Sequence, residues 1–358
     1  MRAAICTGFG RPFEIADVTL ARPGPGEVRC AVRAVAVCHS DVIFADGGWG
    51  GALPAVYGHE AAGEVLETGP EVGHLRPGDR VVITMLRHCG ACPACARGLR
   101  GSCETAFPLD DASPIRGPDG PVGHGLGTGA FAEEVVVHAS QLVPMGPDLG
   151  FEQAALLACG VITGWGAVAN SAAMPAGSDA VVVGTGGVGL NAVQAAAHRR
   201  ARRVIAVDLA EDKLDAAEAF GATHRVNAGA EDPVERVRAI TAGRGADFVF
   251  VTVGAASAFD QSYAMLAPGG ASVLVGVAAL GAVSRFDPVR LTSGSHRIIG
   301  SKLACDPARD IPELIRLHGA GRLALDPLIT ARYPFERIND AIDAARAGRG
   351  LRNVVTIG

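Results

Sequence analysis

Apolar and polar positions follow two different patterns along this chain. Residues 1 to 37 carry short apolar runs broken by turn residues, as in Phe13-Glu14-Ile15-Ala16-Asp17-Val18 and in 28–35, with Pro23-Gly24-Pro25-Gly26 between them. The pattern continues through 61–66, the turn Arg76-Pro77-Gly78-Asp79-Arg80, and Val81-Val82-Ile83. Short, closely spaced strands of this kind predict an all-β barrel or sandwich. From about residue 180 to 300 the pattern changes. Apolar runs at 180–183, 204–207, 247–251 and 271–275 alternate with stretches of helical period, such as Leu190, Val193 and Ala197. Continuous apolar strands alternating with helices predict a doubly wound parallel sheet covered on both faces. The tail, with helical patterns at 310–318 and 338–346 and a strand at 353–357, leaves this rhythm and is expected to return to the first domain. The boundaries read 1–160, 161–300 and 301–358.

Composition narrows the class. A length of 358 residues exceeds one typical core. With 49% hydrophobic and 19% charged residues the chain reads as globular, and no apolar run approaches the ~20 residues of a membrane span. The opening Met1-Arg2-Ala3-Ala4-Ile5-Cys6 lacks the pattern of a secretory signal, so a cytoplasmic, reducing setting is expected and the nine cysteines read as thiols or metal ligands. A net charge of −5, with Lys213 and Lys302 the only lysines, offers no basic stripe for nucleic acid. A small-molecule partner is expected, with no nucleic acid and no membrane.

The segment Ala180-Val181-Val182-Val183-Gly184-Thr185-Gly186-Gly187-Val188-Gly189 reads as a buried strand, a glycine turn and a helix start. Gly184 and Gly186 suit a tight turn with backbone N–H groups near a pyrophosphate, and Gly189 suits close helix–strand packing. The next strand ends at Asp208, where a carboxylate can accept both ribose hydroxyls of an adenosine, a choice that favours NAD over NADP. A solvated strand end or a helix N-cap is the plainer reading of Asp208.

Four cysteines, Cys89, Cys92, Cys95 and Cys103, fall within 15 residues. Four thiolates suit a closed tetrahedral zinc site; disulfides are the rival, disfavoured by spacing and compartment. A closed site holds a lobe together and does no chemistry. Cys38, His59 and Cys159 lie scattered, and together would make a zinc site with one position open. Singly, Cys159 reads as a core thiol and His59 as a turn residue.

Glycine loop, four-cysteine lobe and three dispersed ligands in one chain resemble the zinc-dependent alcohol dehydrogenases of the medium-chain dehydrogenase/reductase superfamily. The tail phrases Leu325-Asp326-Pro327-Leu328-Ile329-Thr330, Pro334-Phe335-Glu336 and Gly350-Leu351-Arg352-Asn353-Val354-Val355 resemble its animal-type and glutathione-dependent branch. The resemblance implies an α/β protein with a GroES-like β-rich catalytic domain made from both chain ends, a zinc lobe at 89–103, and an inserted Rossmann domain. It implies a catalytic zinc on Cys38, His59 and Cys159, and a structural zinc on the four-cysteine set. Glu60 would lie behind the catalytic metal, Asp41 would orient His59, and Ser40 would hydrogen-bond substrate oxygen. Cofactor contacts would come from His39 and Arg352 at the pyrophosphate, from Gly184, Gly186, Gly187, Val188 and Gly189, from Asp208 and Lys213 at the ribose, and from Val253 and Val277. Plain solvated side chains are the alternative for His39, Lys213 and Arg352.

The implied activity is reversible hydride transfer between an alcohol or aldehyde and NAD, with two zinc ions per chain. The rivals are oxidation of a thiol adduct of formaldehyde and a non-catalytic NAD-binding redox sensor. Two departures matter. Ile43 stands where many relatives carry a proton-relaying histidine or tyrosine, and the loop between Cys103 and Phe131 looks shorter than in the animal-type branch. Phe107 stands where glutathione-dependent relatives place an arginine. Trp49, Met85, Phe107 and Leu109 suggest an apolar pocket for a medium-sized apolar or aromatic alcohol, with ordinary core packing the alternative for Trp49 and Met85. A homodimer is expected, or a homotetramer, joined at a Rossmann edge supplied by 271–277 or by Ile298-Ile299.

Overall fold

In the computed structural model, which describes residues 1–303 and 306–358, the chain forms two compact units. The first joins Met1–Gly160 to the tail from Asp306, and the second begins at Val161.

The first unit is built on a seven-stranded sheet in the order Leu142–Pro144, Arg80–Thr84, Glu60–Thr68, Glu27–Ala36, Arg352–Thr356, Ile329–Pro334, with Glu134–His138 also paired to Glu27–Ala36. Glu27–Ala36 is long enough to hold two partners on one side, Glu134–His138 along its first half and Arg352–Thr356 along its end. Its register with Glu60–Thr68 shifts twice, and such irregularities bend a strand and raise its twist. Gly63 is demanded here, since a Cβ would fall 1.8 Å from the carbonyl oxygen of Ala31. Alternate residues Val28, Val32, Val65, Val81 and Ile83 face a core with Phe131, all buried. Each contributes about 1.5–3 kcal/mol by leaving water. The sheet therefore draws the C-terminal strand beside the N-terminal one and carries Arg352 into the first unit.

Helical structure runs unbroken through residues 151–171, long and apolar enough to cross a membrane, with 83% of its most apolar window buried inside the protein. This corrects the expectation that no apolar segment reaches that length. Gly160, Thr163, Gly164 and Asn170 interrupt the run in sequence, yet the helix is apolar on nearly all sides because protein surrounds it. It opens into wide π turns at Leu157–Val161 and Ala167–Ser171, a form frequent at functional sites.

The second unit holds a six-stranded parallel sheet in the order His224–Asn227, Arg203–Asp208, Asp179–Val183, Ala246–Val251, Leu266–Leu274, Arg297–Gly300. By chain order this is 3-2-1-4-5-6, the doubly wound arrangement for which ligands bind outside the carboxyl ends of the strands. Leu266–Leu274 pairs on both sides, so the expected edge at 271–277 is an inner strand. The sheet's edges are His224–Asn227 and Arg297–Gly300, the latter carrying Ile298 and Ile299.

Asp179–Val183 is buried along its whole length and leads through Gly184, at φ +87°, to the helix Gly189–His198. A Cβ on Gly189 would lie 1.8 Å from the Gly184 carbonyl oxygen, whereas a Cβ on Gly186 would meet nothing within 4 Å. Gly189→Ala should therefore lower unfolding free energy by about 1–3 kcal/mol through overpacking, read as a shifted denaturant midpoint at constant slope. Gly186→Ala should leave the midpoint in place. Equal midpoints for the two variants would contradict this packing account.

Candidate functional site

The first cluster forms where the strand Glu27–Ala36 ends. Cys38 is the N-cap of the helix His39–Ala45, and Asp41, three residues on, returns its carboxylate to the Cys38 backbone N–H at 3.1 Å. The same fully buried carboxylate accepts from the Gly58 backbone N–H at 3.1 Å and from His59 Nδ1 at 2.8 Å. His59 sits just before the strand Glu60–Thr68, so one helix cap fixes two side chains that are 21 positions apart in sequence. With Nδ1 engaged, Nε2 is the imidazole nitrogen left to bind a metal.

The wide turn Leu157–Val161 brings Cys159 to the same place. Ligand atoms of Cys38, His59, Glu60 and Cys159 lie within 4.8 Å of one another, and all four residues are buried. Arg352, only 6% exposed, forms an ion pair with Glu60 Oε2, while Glu60 Oε1 is buried without a hydrogen-bond partner. Arg352, whose expected place was the cofactor pyrophosphate, thus has its guanidinium held beside this cluster.

Electrostatics follow from this crowding. A hydrogen bond from Cys159, aided by His59, holds the Cys38 thiol well below its ordinary range against the opposing effect of burial. Burial works against charge on His59, but Asp41 and Cys38 leave its pKa well above the usual value. Burial pushes Glu60 up to about 8 against the pull of Arg352. Thiolate, imidazole and carboxylate confined in so small a volume make a donor set that a divalent cation neutralises. Two sulfurs and one nitrogen suit zinc with one position open, and the unpartnered Glu60 oxygen leaves a further oxygen donor near it.

The second cluster is Cys89, Cys92, Cys95 and Cys103, again within 4.8 Å of one another. Sulfurs bonded to one zinc at ~2.3 Å sit roughly 3.8 Å apart in a tetrahedron; Cys92 and Cys103 sulfurs are 3.9 Å apart. Backbone N–H groups of Ala91 and Cys92 donate to Cys89, those of Cys95 and Glu104 to Cys92, and that of Cys89 to Cys103, at 3.2–3.5 Å. Such donors stabilise negative sulfur. The Thr105 hydroxyl and two of these N–H groups lower the Cys89 thiol to about 6. The cluster fits a closed zinc site.

His39 and Ser40 stand in the first turn of the helix His39–Ala45, His39 exposed and Ser40 half-buried. Ile43 packs against Gly48, where an added Cβ would lie 2.9 Å from Ile43 Cγ2. Trp49 meets Phe44 edge-on at 5.2 Å, and Met85 is half-buried. Phe107 is buried with its ring 4.7 Å from that of His138 and under the Arg87 guanidinium. Leu109 is buried in the same segment.

In the second unit the glycine loop and Asp208 come together. Asp208 Oδ2 accepts from the Thr185 backbone N–H at 2.7 Å and from its hydroxyl at 3.1 Å, while Oδ1 accepts from Leu209 and Ala210 N–H groups. Lys213 stands one turn into the next helix, its carbonyl accepting from Thr185 at 3.2 Å. Val253 packs on Gly184, and the Val277 backbone lies beside Gly254. These residues, with Gly187 and Val188, stand at the carboxyl ends of the strands.

Two residues absent from the sequence-derived set belong here. The Thr185 hydroxyl ties the loop to Asp208, and its place between two glycines was the available signal. Fully buried Thr84 donates to the Ala158 carbonyl at 2.7 Å, bracing the turn beside Cys159, and no local pattern announced it.

The family model of the alcohol dehydrogenase GroES-like domain matches residues 24–147, and that of the zinc-binding dehydrogenases matches residues 187–319. An NDMA-dependent alcohol dehydrogenase of Amycolatopsis methanolica is 34% identical, covering 99% of this chain and 98% of the relative. Among solved structures, an alcohol dehydrogenase zinc-binding domain protein from Burkholderia ambifaria superposes with a TM-score of 0.95 at 34% identity, over 100% of this chain and 98% of its own. A benzyl alcohol dehydrogenase from Acinetobacter calcoaceticus gives 0.93 at 32%, over 100% and 99%.

Because Asp41 both orients His59 and caps the Cys38 helix, Asp41→Asn should weaken metal binding at the first cluster by about 10–100-fold in chelator competition. The four-cysteine site should hold its metal in that variant. Unchanged affinity at the first cluster would overturn the role given to Asp41.

Proposed function

Since the chain belongs to the zinc-dependent alcohol dehydrogenases of the medium-chain dehydrogenase/reductase superfamily, and is an oxidoreductase acting on alcohols, we propose that its hydride acceptor is NAD and its substrate a medium-sized apolar or aromatic primary alcohol, or the matching aldehyde. The observation that carries the reading is the convergence of Cys38, His59 and Cys159 under the Asp41 cap.

Zinc on these three residues supplies, when bound, the Lewis acidity that lets an alcohol lose its proton near neutral pH, and NAD supplies the hydride acceptor. The protein's own work is to hold, orient and shield. Asp41 fixes the imidazole, Thr84 braces the turn bearing Cys159, and Arg352 offsets the buried charge of Glu60. Ser40 receives the alcohol proton. Ile43 has no group to pass it on and packs on Gly48, so water carries the proton away.

Support for NAD comes from Asp208, whose carboxylate is fixed to the glycine loop through Thr185 and repels a 2′-phosphate. Arg202 and Arg203, expected as candidates to attract that phosphate, both bind Asp179 at the amino end of the parallel sheet. Support for an apolar substrate comes from Trp49 and Met85, together with the benzyl alcohol named for one structural relative. Phe107, enclosed by His138 and Arg87, offers no cation to a glutathione carboxylate. The thiolate clusters support a reducing setting such as the cytoplasm.

Two copies of this chain pair as a homodimer through the exposed edge Arg297–Gly300. Leu280, Val283 and Val289, 75%, 73% and 74% exposed, lie in the preceding segment of the same unit and supply apolar surface for it.

With benzyl alcohol and NAD, absorbance of NADH should report turnover, NADP should be the poorer cofactor, and Cys159→Ser should lower kcat/KM by on the order of 10³-fold. Ordinary turnover by Cys159→Ser, or preference for NADP, would sink the corresponding part of the proposal. Light scattering should give twice the 36.4 kDa chain mass; a single-chain mass would refute the dimer.

A further inference from the structure

At the amino ends of the strands Ala246–Val251 and Leu266–Leu274, the second unit has a pocket of about 430 Å³, lined by Arg238, Arg244, Arg290, Ser293 and His296 together with backbone at Gly243 and Gly294. The glycine loop stands at the carboxyl ends of the same parallel sheet, roughly 20 Å away at ~3.3 Å per strand residue. The pocket is therefore separate from the proposed dinucleotide site.

Its charge is one-sided. The lining residues include three arginines and no carboxylate. Arg244 is neutralised by Asp247, with Nη2 2.6 Å from Oδ1. Arg238 and Arg290 form no ion pair among the described residues. Both instead donate to one carbonyl oxygen, that of Ala264, Arg238 through Nε at 3.2 Å and Nη2 at 2.9 Å, and Arg290 through Nη2 at 3.2 Å. Two guanidinium groups thus crowd a single neutral acceptor. Each keeps N–H donors that this carbonyl does not use, because a guanidinium carries five. Like charges brought together without a counter-charge favour an anion between them, and planar donor forks match phosphate oxygens in pairs. Ser293 and His296 line the same wall.

We propose that this pocket binds a phosphate group, either inorganic phosphate or a small phosphate monoester, with Arg238 and Arg290 as its two principal contacts. The site is distinct from the reaction centre, so its occupant is an effector or a stabilising ion and not a substrate.

Calorimetric titration of the zinc-loaded enzyme, saturated with NADH and held at constant ionic strength with sodium chloride, tests the idea with inorganic phosphate and with glycerol phosphate. One saturable site per chain is expected. Arg238→Gln combined with Arg290→Gln should weaken it about tenfold or more, since each arginine removed takes one or two charge-assisted hydrogen bonds with it. Ser293→Asp, which sets a carboxylate in the pocket and leaves both arginines in place, should do the same if the double variant fails to fold. Equal affinity for the two ligands identifies the free ion as sufficient, and tighter binding of glycerol phosphate identifies an ester; either supports the site. Absence of saturable binding, or binding that survives both sets of substitutions, overturns it.

Discussion

The Asp41 carboxylate is the constraint on which the reaction centre depends. A fully buried carboxylate must have its oxygens satisfied, and here Cys38 N–H, Gly58 N–H and His59 Nδ1 do so. Those three donors come from a helix start, a turn and the residue before a strand. One charge therefore sets the start of the helix His39–Ala45, the approach of the turn at Gly58 and the orientation of the imidazole. Its cost in desolvation is offset only if all three partners are present, which couples metal-ligand geometry to the folding of the first unit.

Around it, charges are balanced at short range. Arg352 and Glu60 form a buried ion pair although 292 positions separate them, and the pair is placed by the strand Arg352–Thr356 lying against Glu27–Ala36. Breaking either partner would strand a charge without water, so this pair fixes where the C-terminal strand must sit. Thr84 extends the same logic to a backbone group, because its hydroxyl meets the Ala158 carbonyl in a turn whose wide geometry departs from the regular helical ladder.

The second unit meets a comparable demand with glycine. Gly189 lets its helix approach the Gly184 carbonyl, while Gly186 keeps open the space in front of the helix start. Asp208 then serves two elements at once, holding the loop through Thr185 with one oxygen and the turn at Leu209 and Ala210 with the other. At the opposite end of the sheet Arg202 and Arg203 are bound to Asp179, and two further arginines share one carbonyl.

What the sequence alone determined is what short-range geometry controls. Four cysteines within 15 residues have few ways to avoid one another, and a strand, glycine turn and helix in succession can form one known loop, so both features were legible from spacing. The strand and helix periods likewise separated the two units, because burial on one face or on both leaves its mark residue by residue. Tertiary structure decided the rest. Cys159 is indistinguishable from a core thiol until the chain folds it against Cys38 and His59. Arg352 acquires its partner only through strand pairing, the true edge of the parallel sheet is set by which strand lies last, and Phe107 is enclosed by His138 and Arg87 from other segments. Each depends on contacts between residues far apart in the chain, and such contacts leave no periodic trace in the sequence around either partner.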